Sequence, residues 1–485
     1  MTRKIDPFEN FVRNAENKDI VNLLTEVLEE SQDMNGQNTN GQDKNSSCCI
    51  SPKRSVPKTY TIKIVTPMFG GGVEAGVNDD TMLIRSTSVR GHLRFWWRAT
   101  RGKAFDDFKE MRKRENEIWG STETPSQVQI KVNVVQKGKT FPCAKYELNS
   151  KGKWKLSYEK DCPAYVLFPF QGTTNEDRTE VTQHPAKYSI NILFEVSYCC
   201  PEELKSDVEA AFWAWTNFGG IGARTRRGCG SLFCEKISNP QKDEYEKFVP
   251  PNVQKLPEWF QQSLITYEIP TSVAPKEWPT IGDTLLVGKQ NTDPMISWNA
   301  AIEPFRDFRQ GKDMGRNPGD ELNRPGRSRW PEPEAIREMT GQRFLPRHQK
   351  LKDHPTNVFP RAEFGLPIIV HFKDNGDPAD TEIAPPQGDR MGSPLILKPL
   401  AMQGQQFVPL AFRFQTKPLE RTKLKRGQNV LREGILVRTE EAANYRQSPM
   451  KDRTKIGSAI EAFLYYLTKN NFQEVSGIQK KEVSQ

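Results

Sequence analysis

The chain has no Cys-x-x-Cys pair. Its eight cysteines fall as two adjacent pairs, Cys48-Cys49 and Cys199-Cys200, and four singles, Cys143, Cys162, Cys229 and Cys234. Structural zinc sites and dithiol redox motifs need closely spaced cysteines, so neither is indicated and reduced thiols are expected. Histidine is scarce. His92, His184, His348, His354 and His371 assemble into no His-Glu-x-x-His, His-Asp or Ser/His/Asp pattern, and no metal-ligand set is expected. No apolar run approaches membrane-spanning length, and the first residues lack the apolar stretch of a signal peptide, so a cytoplasmic protein with no membrane partner is expected. Two loose nucleotide patterns fail on context. Gly70 to Ala75 fits G-x-G-x-x-A, but Val77-Asn78-Asp79-Asp80 follows where a helix should open. Gly282 to Gln290 has P-loop character, but its glycines are one residue too far apart and Gln290 stands where Ser or Thr would hold magnesium. No cofactor is expected.

Acidic residues are missing from two long stretches. Ile84 to Lys103 (IRSTSVRGHLRFWWRATRGK) has six cations and no acid. On a helix, Arg90, Arg94, Arg98 and Arg101 share a sector of roughly 80°. Val89, Leu93, Trp96 and Thr100 form the adjoining packed sector, and Trp97 lies at the seam. Solvated helix faces usually interleave Glu with their cations, and this one has none, so it reads as a surface for a polyanion. The second stretch, Ala210 to Cys234, holds GGIGARTRRGCGSL. Gly219, Gly220, Gly222, Gly228 and Gly230 surround Arg224, Arg226 and Arg227. Glycines allow close backbone approach, and arginines add bidentate phosphate donors. The plainer reading of this segment is a turn joining a helix to an edge strand.

What is abundant agrees with this. The net charge is +9, and the first 55 residues hold seven Lys/Arg against nine Asp/Glu, so the remainder carries +11. A basic folded body favours nucleic acid or an acidic partner surface. A third basic motif is GRSRWPEPEAIR (326–337), where Arg327, Arg329 and Trp330 precede Pro331 and Pro333. Such a group suits phosphate clamping with base stacking, or equally a loop pinned by its tryptophan.

Three regions follow. Residues 1–57 read as a short acidic helix (7–32) and a polar linker (33–55). Residues 58–240 read β-α-β-β-β-α-β: strands at 60–67, 128–135, 164–170, 188–198 and 231–237, helices at the arginine run, near 106–118 and at 202–218. That is an α+β, split βαβ, ferredoxin-like pattern with one extra strand or insertion. Residues 241–485, after a proline-rich link at 248–259, read as a second, degenerate ferredoxin-like unit. Its helices are expected at 297–310 and 456–470, and its strands at 366–372, 394–400 and 407–414.

Together, TPMFGGG with the arginine run (66–102), FGGIGARTRRGCGSL (218–232) and GRSRWPEPEAIR (326–337), supported by FPRAEFGLPI (359–368) and RMGSPLILKPL (390–400), resemble one family. It is that of the first subunits of the Cmr complex, RAMP-superfamily proteins of type III-B CRISPR effectors. The resemblance covers most of residues 58–415. It implies two ferredoxin-like, RRM-related domains in an RNA-guided antiviral ribonucleoprotein, with other Cmr subunits as partners. It also implies contact with the 3′ region of guide RNA and with the paired target RNA, and no catalytic role. The RNA-contacting character carries over onto Arg90, Arg94, Trp97, Arg98 and Arg101, onto Gly220, Gly222, Arg224, Arg226, Arg227, Gly228 and Gly230, and onto Arg327, Arg329 and Trp330. The rival reading is a metal-independent endoribonuclease that processes repeat RNA, with His92 as its base. The angle count puts His92 on a different side of the helix from most of the arginines.

Overall fold

The structure is a computed structural model that describes residues 54–70, 82–158, 162–238, 240–241, 243–271, 273–318, 326–345 and 348–476. The acidic helix expected at 7–32, almost all of the expected linker and residues 71–81 lie outside these residues.

The first half is built from β1 (Lys58–Ile64), α1 (Ser86–Ala99), α2 (Phe108–Trp119), β2 (Gln129–Gln136), β3 (Leu193–Cys199), α3 (Lys205–Phe218) and β4 (Leu232–Ile237). Its sheet is antiparallel throughout, in the order β4-β1-β3-β2. Alternation along β1 sends Tyr60, Ile62 and Ile64 to one face, where Tyr60 opposes Val196 and Ile62 opposes Phe194. α1 and α3 pack together on that face, and Tyr60 stacks on Phe212 with ring centroids 4.7 Å apart. Asp107 starts α2 by accepting from the amides of Lys109 and Glu110.

Two expected strands differ. Ala164 to Phe170 forms a short helix and a 3₁₀ turn, because Pro163 and Pro169 lack the N–H groups a ladder needs. The run 188–198 breaks at Asn191, whose φ is 58°; Lys187–Ile190 leaves to pair with Lys139–Pro142 and Met68–Phe69.

The second half contains α4 (Leu256–Thr266), β5 (Thr284–Val287), α5 (Pro294–Gln310), α6 (Glu332–Thr340), β6 (Ile368–Val370), β7 (Thr381–Ala384), β8 (Leu395–Met402), β9 (Gln406–Arg413), β10 (Arg421–Arg426), β11 (Asn429–Leu436), α7 (Ala459–Lys469) and β12 (Gln473–Ser476). Its main sheet runs β8-β9-β5-β12. Taking β5, α5, β8, β9, α7 and β12 in chain order gives β-α-β-β-α-β with the strand order of the first sheet. The segments between α5 and β8 and between β9 and α7 supply a third sheet, β6-β7-β10-β11.

One apolar core runs from the first sheet into the second. It joins Tyr60, Trp213 and Phe218 to Leu285, Leu400 and Phe412, and the Phe218 and Phe412 rings stack at 5.3 Å. Fully burying one such side chain stabilises by about 1.5–3 kcal/mol. α3 is therefore apolar on nearly every side, being covered by both sheets.

Candidate nucleic-acid interface

α1 buries Val89, Leu93, Trp96, Trp97 and Ala99, as its periodicity requires. Its arginines are not a bare cationic face. Arg94 Nε lies 2.7 Å from Glu115 Oε1, and its Nη groups donate to the Gly120 carbonyl at 2.9 Å and Asn116 Oδ1 at 2.6 Å. Arg98 Nε lies 3.0 Å from the same Glu115 oxygen, and Arg112 holds the other at 2.6 Å. Glu115 is wholly buried. Burial lowers the pKa of Arg98, against the attraction of Glu115. Arg101 faces Asp207 at 3.5 Å and pairs with Glu268. The counter-charges come from α2, α3 and a turn near 268, so the periodicity of α1 could not reveal them. Trp97 is a further correction: it is buried and donates from Nε1 to Asp207 Oδ1 at 2.7 Å, so it braces the ion pairs and has no free face for a base.

Arg90 is exposed, and no ion pair or hydrogen bond holds it among the described residues. Together with Arg94 and Arg112 it lines a cleft of about 750 Å³ between α1 and the end of α2, whose far wall carries Ser121, Thr124 and Ser126. The side chain of Arg112 is 44% exposed there. Sequence reading missed Arg112, which shares its face with acids and so gave no signal.

The glycine-rich segment folds back on its own chain. The Ile221 amide donates to the Gly230 carbonyl at 2.9 Å, Ala223 to Phe69 at 2.8 Å and Gly230 to Pro67 at 2.9 Å. Gly222 sits at φ +86°, where a Cβ would lie 2.4 Å from the Phe69 carbonyl oxygen; at Gly228, φ +81°, it would meet Trp298 Nε1 at 2.5 Å. The close approach these glycines permit is thus to protein. Gly220 and Gly230 are buried in the same turn.

Two of the three arginines of this segment reach the second half. Arg226 donates to the Ser393 carbonyl at 2.7 Å and lies over the Phe95 and Phe414 rings. Arg227 donates to the Leu395 carbonyl at 2.7 Å and to Ser393 Oγ at 3.0 Å, with its guanidinium 4.7 Å from the Phe305 centroid. Burial pushes its pKa down to about 9. Arg224, in the left-handed region at φ 57°, is lowered by the same cause. Lys398 of β8 donates to the carbonyls of Asn217 at 2.9 Å and Gly219 at 2.8 Å, closing the end of α3.

The two strong sequence motifs meet at one place. His92, Phe95 and Trp96 from α1 and Gly219, Gly220 and Arg226 from the loop line a cavity of about 190 Å³. Burial drops the His92 pKa to about 4, and its ring stacks on Trp215 at 6.1 Å. His92 therefore faces a different cavity from Arg90 and Arg94.

The third motif is separate from both. Arg327 pairs with Glu334 at 2.8 Å, and Arg329 donates to the Asp313 carbonyl. Trp330 is fully buried, donates to the Arg309 carbonyl at 3.0 Å and packs edge-on to Phe308. It pins its loop, and the expected stacking on a base finds no exposed ring. α6 does start at the Pro331–Pro333 segment.

Residues 61–233, which hold α1 and most of the glycine-rich segment, match the model of the RAMP superfamily. The match spans just over a third of the chain. The chain is 27% identical over 183 residues to the CRISPR system Cmr subunit Cmr1-2 of Pyrococcus furiosus, an alignment covering 36% of this chain and 92% of that protein. It is 26% identical over 157 residues to Cmr1-1 of the same organism, covering 32% of this chain and 42% of that protein. Among solved structures it is similar to apo Cmr1 from Pyrococcus furiosus, with a TM-score of 0.46, 15% identity, and 87% of this chain and 100% of that chain covered. It is also similar to a chain of the type III-B Cmr-beta complex bound to cognate target RNA, with a TM-score of 0.43, 11% identity, and 85% and 99% covered. No helix among its described residues is long and apolar enough to cross a membrane.

Proposed function

We propose that this chain is a non-catalytic, RNA-binding subunit of a type III-B CRISPR effector complex. It would be made of two ferredoxin-like units, 58–240 and 241–485, and would contact guide RNA, target RNA and other Cmr subunits. The repeated β-α-β-β-α-β order in the two halves supports the architecture. Relatives named as Cmr subunits support the assembly.

The observation that carries the RNA reading is the α1–α2 cleft. Arg90, exposed and unpaired among the described residues, and Arg112, half-exposed while paired with Glu115, stand at it within the segment that matches the RAMP model. These two are the phosphate contacts of the proposal. Arg94 and Arg98 hold Glu115 beside the cleft, Trp97 and Arg101 hold Asp207, and Arg226 and Arg227 fix the glycine-rich loop. The rival nuclease reading gains less support, because His92 is stacked inside another cavity.

The test is a salt titration of RNA affinity with the full chain. Removing both Arg90 and Arg112 as alanines is expected to shallow the log–log slope by up to about two. An unchanged slope would sink the proposal. Site-specific RNA cleavage in EDTA, lost in His92→Ala, would favour the rival.

A further inference from the structure

We infer that a second cleft, between α5, α6 and the edge strand β6, binds a phosphate group carried on a ligand of nucleotide size. The cleft measures about 710 Å³, and Arg309, Arg316, Arg327, Arg337 and Arg361 line it. Three of these are neutralised within the chain. Arg327 lies 2.8 Å from Glu334, Arg337 2.7 Å from Asp377 and Arg361 3.0 Å from Glu332.

The other two have no carboxylate partner among the described residues. Arg316 is exposed, and its guanidinium donates to the Gly326 carbonyl at 3.1 Å. Arg309 reaches the Tyr165 hydroxyl and lies over aromatic rings, and its Nε is buried without a hydrogen bond. Two guanidinium groups left over in a concave, partly desolvated site favour an anion, and their planar forks suit phosphate oxygens.

The wall carries a second unmet demand. His354 is only 7% exposed, and neither ring nitrogen has a hydrogen-bond partner among the described residues. A buried polar group left so asks for a partner from outside the chain. A neutral imidazole supplies one donor and one acceptor, which a phosphoryl oxygen and a ribose hydroxyl would satisfy. Ile368, Val370 and Phe372 make the opposite wall apolar enough for a base or sugar face.

A divalent cation fits less well. His348, Asp374 and Asp377 lie together, but Arg337 already donates to both oxygens of Asp377, at 2.9 and 2.7 Å. This inference does not rest on the RNA reading of the α1–α2 cleft.

Calorimetric titration of the full chain with AMP, adenosine and inorganic phosphate tests it. Tetranucleotides with and without a terminal phosphate form the second arm. AMP or the phosphorylated tetranucleotide is expected to bind at least tenfold more tightly than its unphosphorylated counterpart. Arg316→Ala, an exposed position, is expected to lose tenfold or more with an unchanged melting temperature. His354→Phe, which keeps the ring against Tyr445, should also weaken binding. Response to AMP alone would identify a free nucleotide, and response to the phosphorylated tetranucleotide alone a strand end. Equal binding of phosphorylated and unphosphorylated probes, no binding by any phosphate-bearing probe, or wild-type affinity in Arg316→Ala would overturn the inference.

Discussion

Arg94 and Glu115 form an ion pair 2.7 Å long whose acid is wholly buried, and Arg98 and Arg112 close on the same carboxylate. One acid thus gathers cations from two helices. Glu115→Gln leaves three guanidinium groups around a neutral amide. Breaking a buried pair from one side costs roughly 3–5 kcal/mol, so urea unfolding of this variant should shift by a similar amount. Arg94→Ala should destabilise comparably, because it strips Glu115 of its most extensively bonded partner. A variant with wild-type stability would show that the remaining arginines suffice.

Arg90 offers the contrast. It is exposed and has no such partner among the described residues. Arg90→Ala should leave the unfolding midpoint unchanged, weaken RNA binding and reduce the salt slope by about one. Equal RNA affinity in the variant and the parent, measured at low salt, would remove Arg90 from the interface.

At Gly228 an added methyl would meet Trp298 Nε1 at 2.5 Å, on a backbone at φ +81°. The same indole donates to the Arg227 carbonyl at 2.7 Å, so it is not free to swing aside. Gly228→Ala should therefore lower stability by about 2–4 kcal/mol, from strain plus displaced packing. Gly91 is the control, because a methyl added there would have nothing within 4 Å. Gly91→Ala should be neutral or slightly stabilising in the same denaturant assay.

Acid should weaken the fold through two histidines. Burial lowers both His92 and His354 to about 4; around His354, Glu334 and Asp353 oppose the shift and Arg327 reinforces it. The unfolded chain takes up protons near pH 6.5 and the folded chain does not until about pH 4. Stability is therefore complete above 6.5 and is lost as pH falls from 6.5 towards 4. His354 alone accounts for on the order of 3 kcal/mol of that loss. In thermal melts across this range, His354→Phe should flatten the decline; an unaltered profile would show that His354 does not drive it.

The helix at 86–99 is legible in the sequence because its apolar positions repeat over four turns and its neighbours β1 and β2 alternate cleanly. The glycines at 222 and 228 are legible as special backbone positions. What they approach is not, since Phe69 and Trp298 are remote in sequence. The same distance hides Glu115 and Asp207, so an acid-free run of arginines looks unpaired along the chain. β5 escapes because Thr284–Val287 is a four-residue apolar run with no period of its own, and α4 because prolines at its start read as a link. The β10–β11 hairpin buries only Thr422, Leu424 and Ile435 on its inner face, too few among its charged residues to stand out as a stripe. The cleft at Arg309, Arg316 and His354 draws on residues from Tyr165 to Asp377, a spacing that no local pattern encodes.

Lys398 lies far down the chain from the helix end it closes, and burial brings its pKa down to about 7. During synthesis the carbonyls of Asn217 and Gly219 wait for a strand made some 180 residues later. The loop that follows them is not closed until that strand is made, and a shortened chain ending at 240 would present it unmoored.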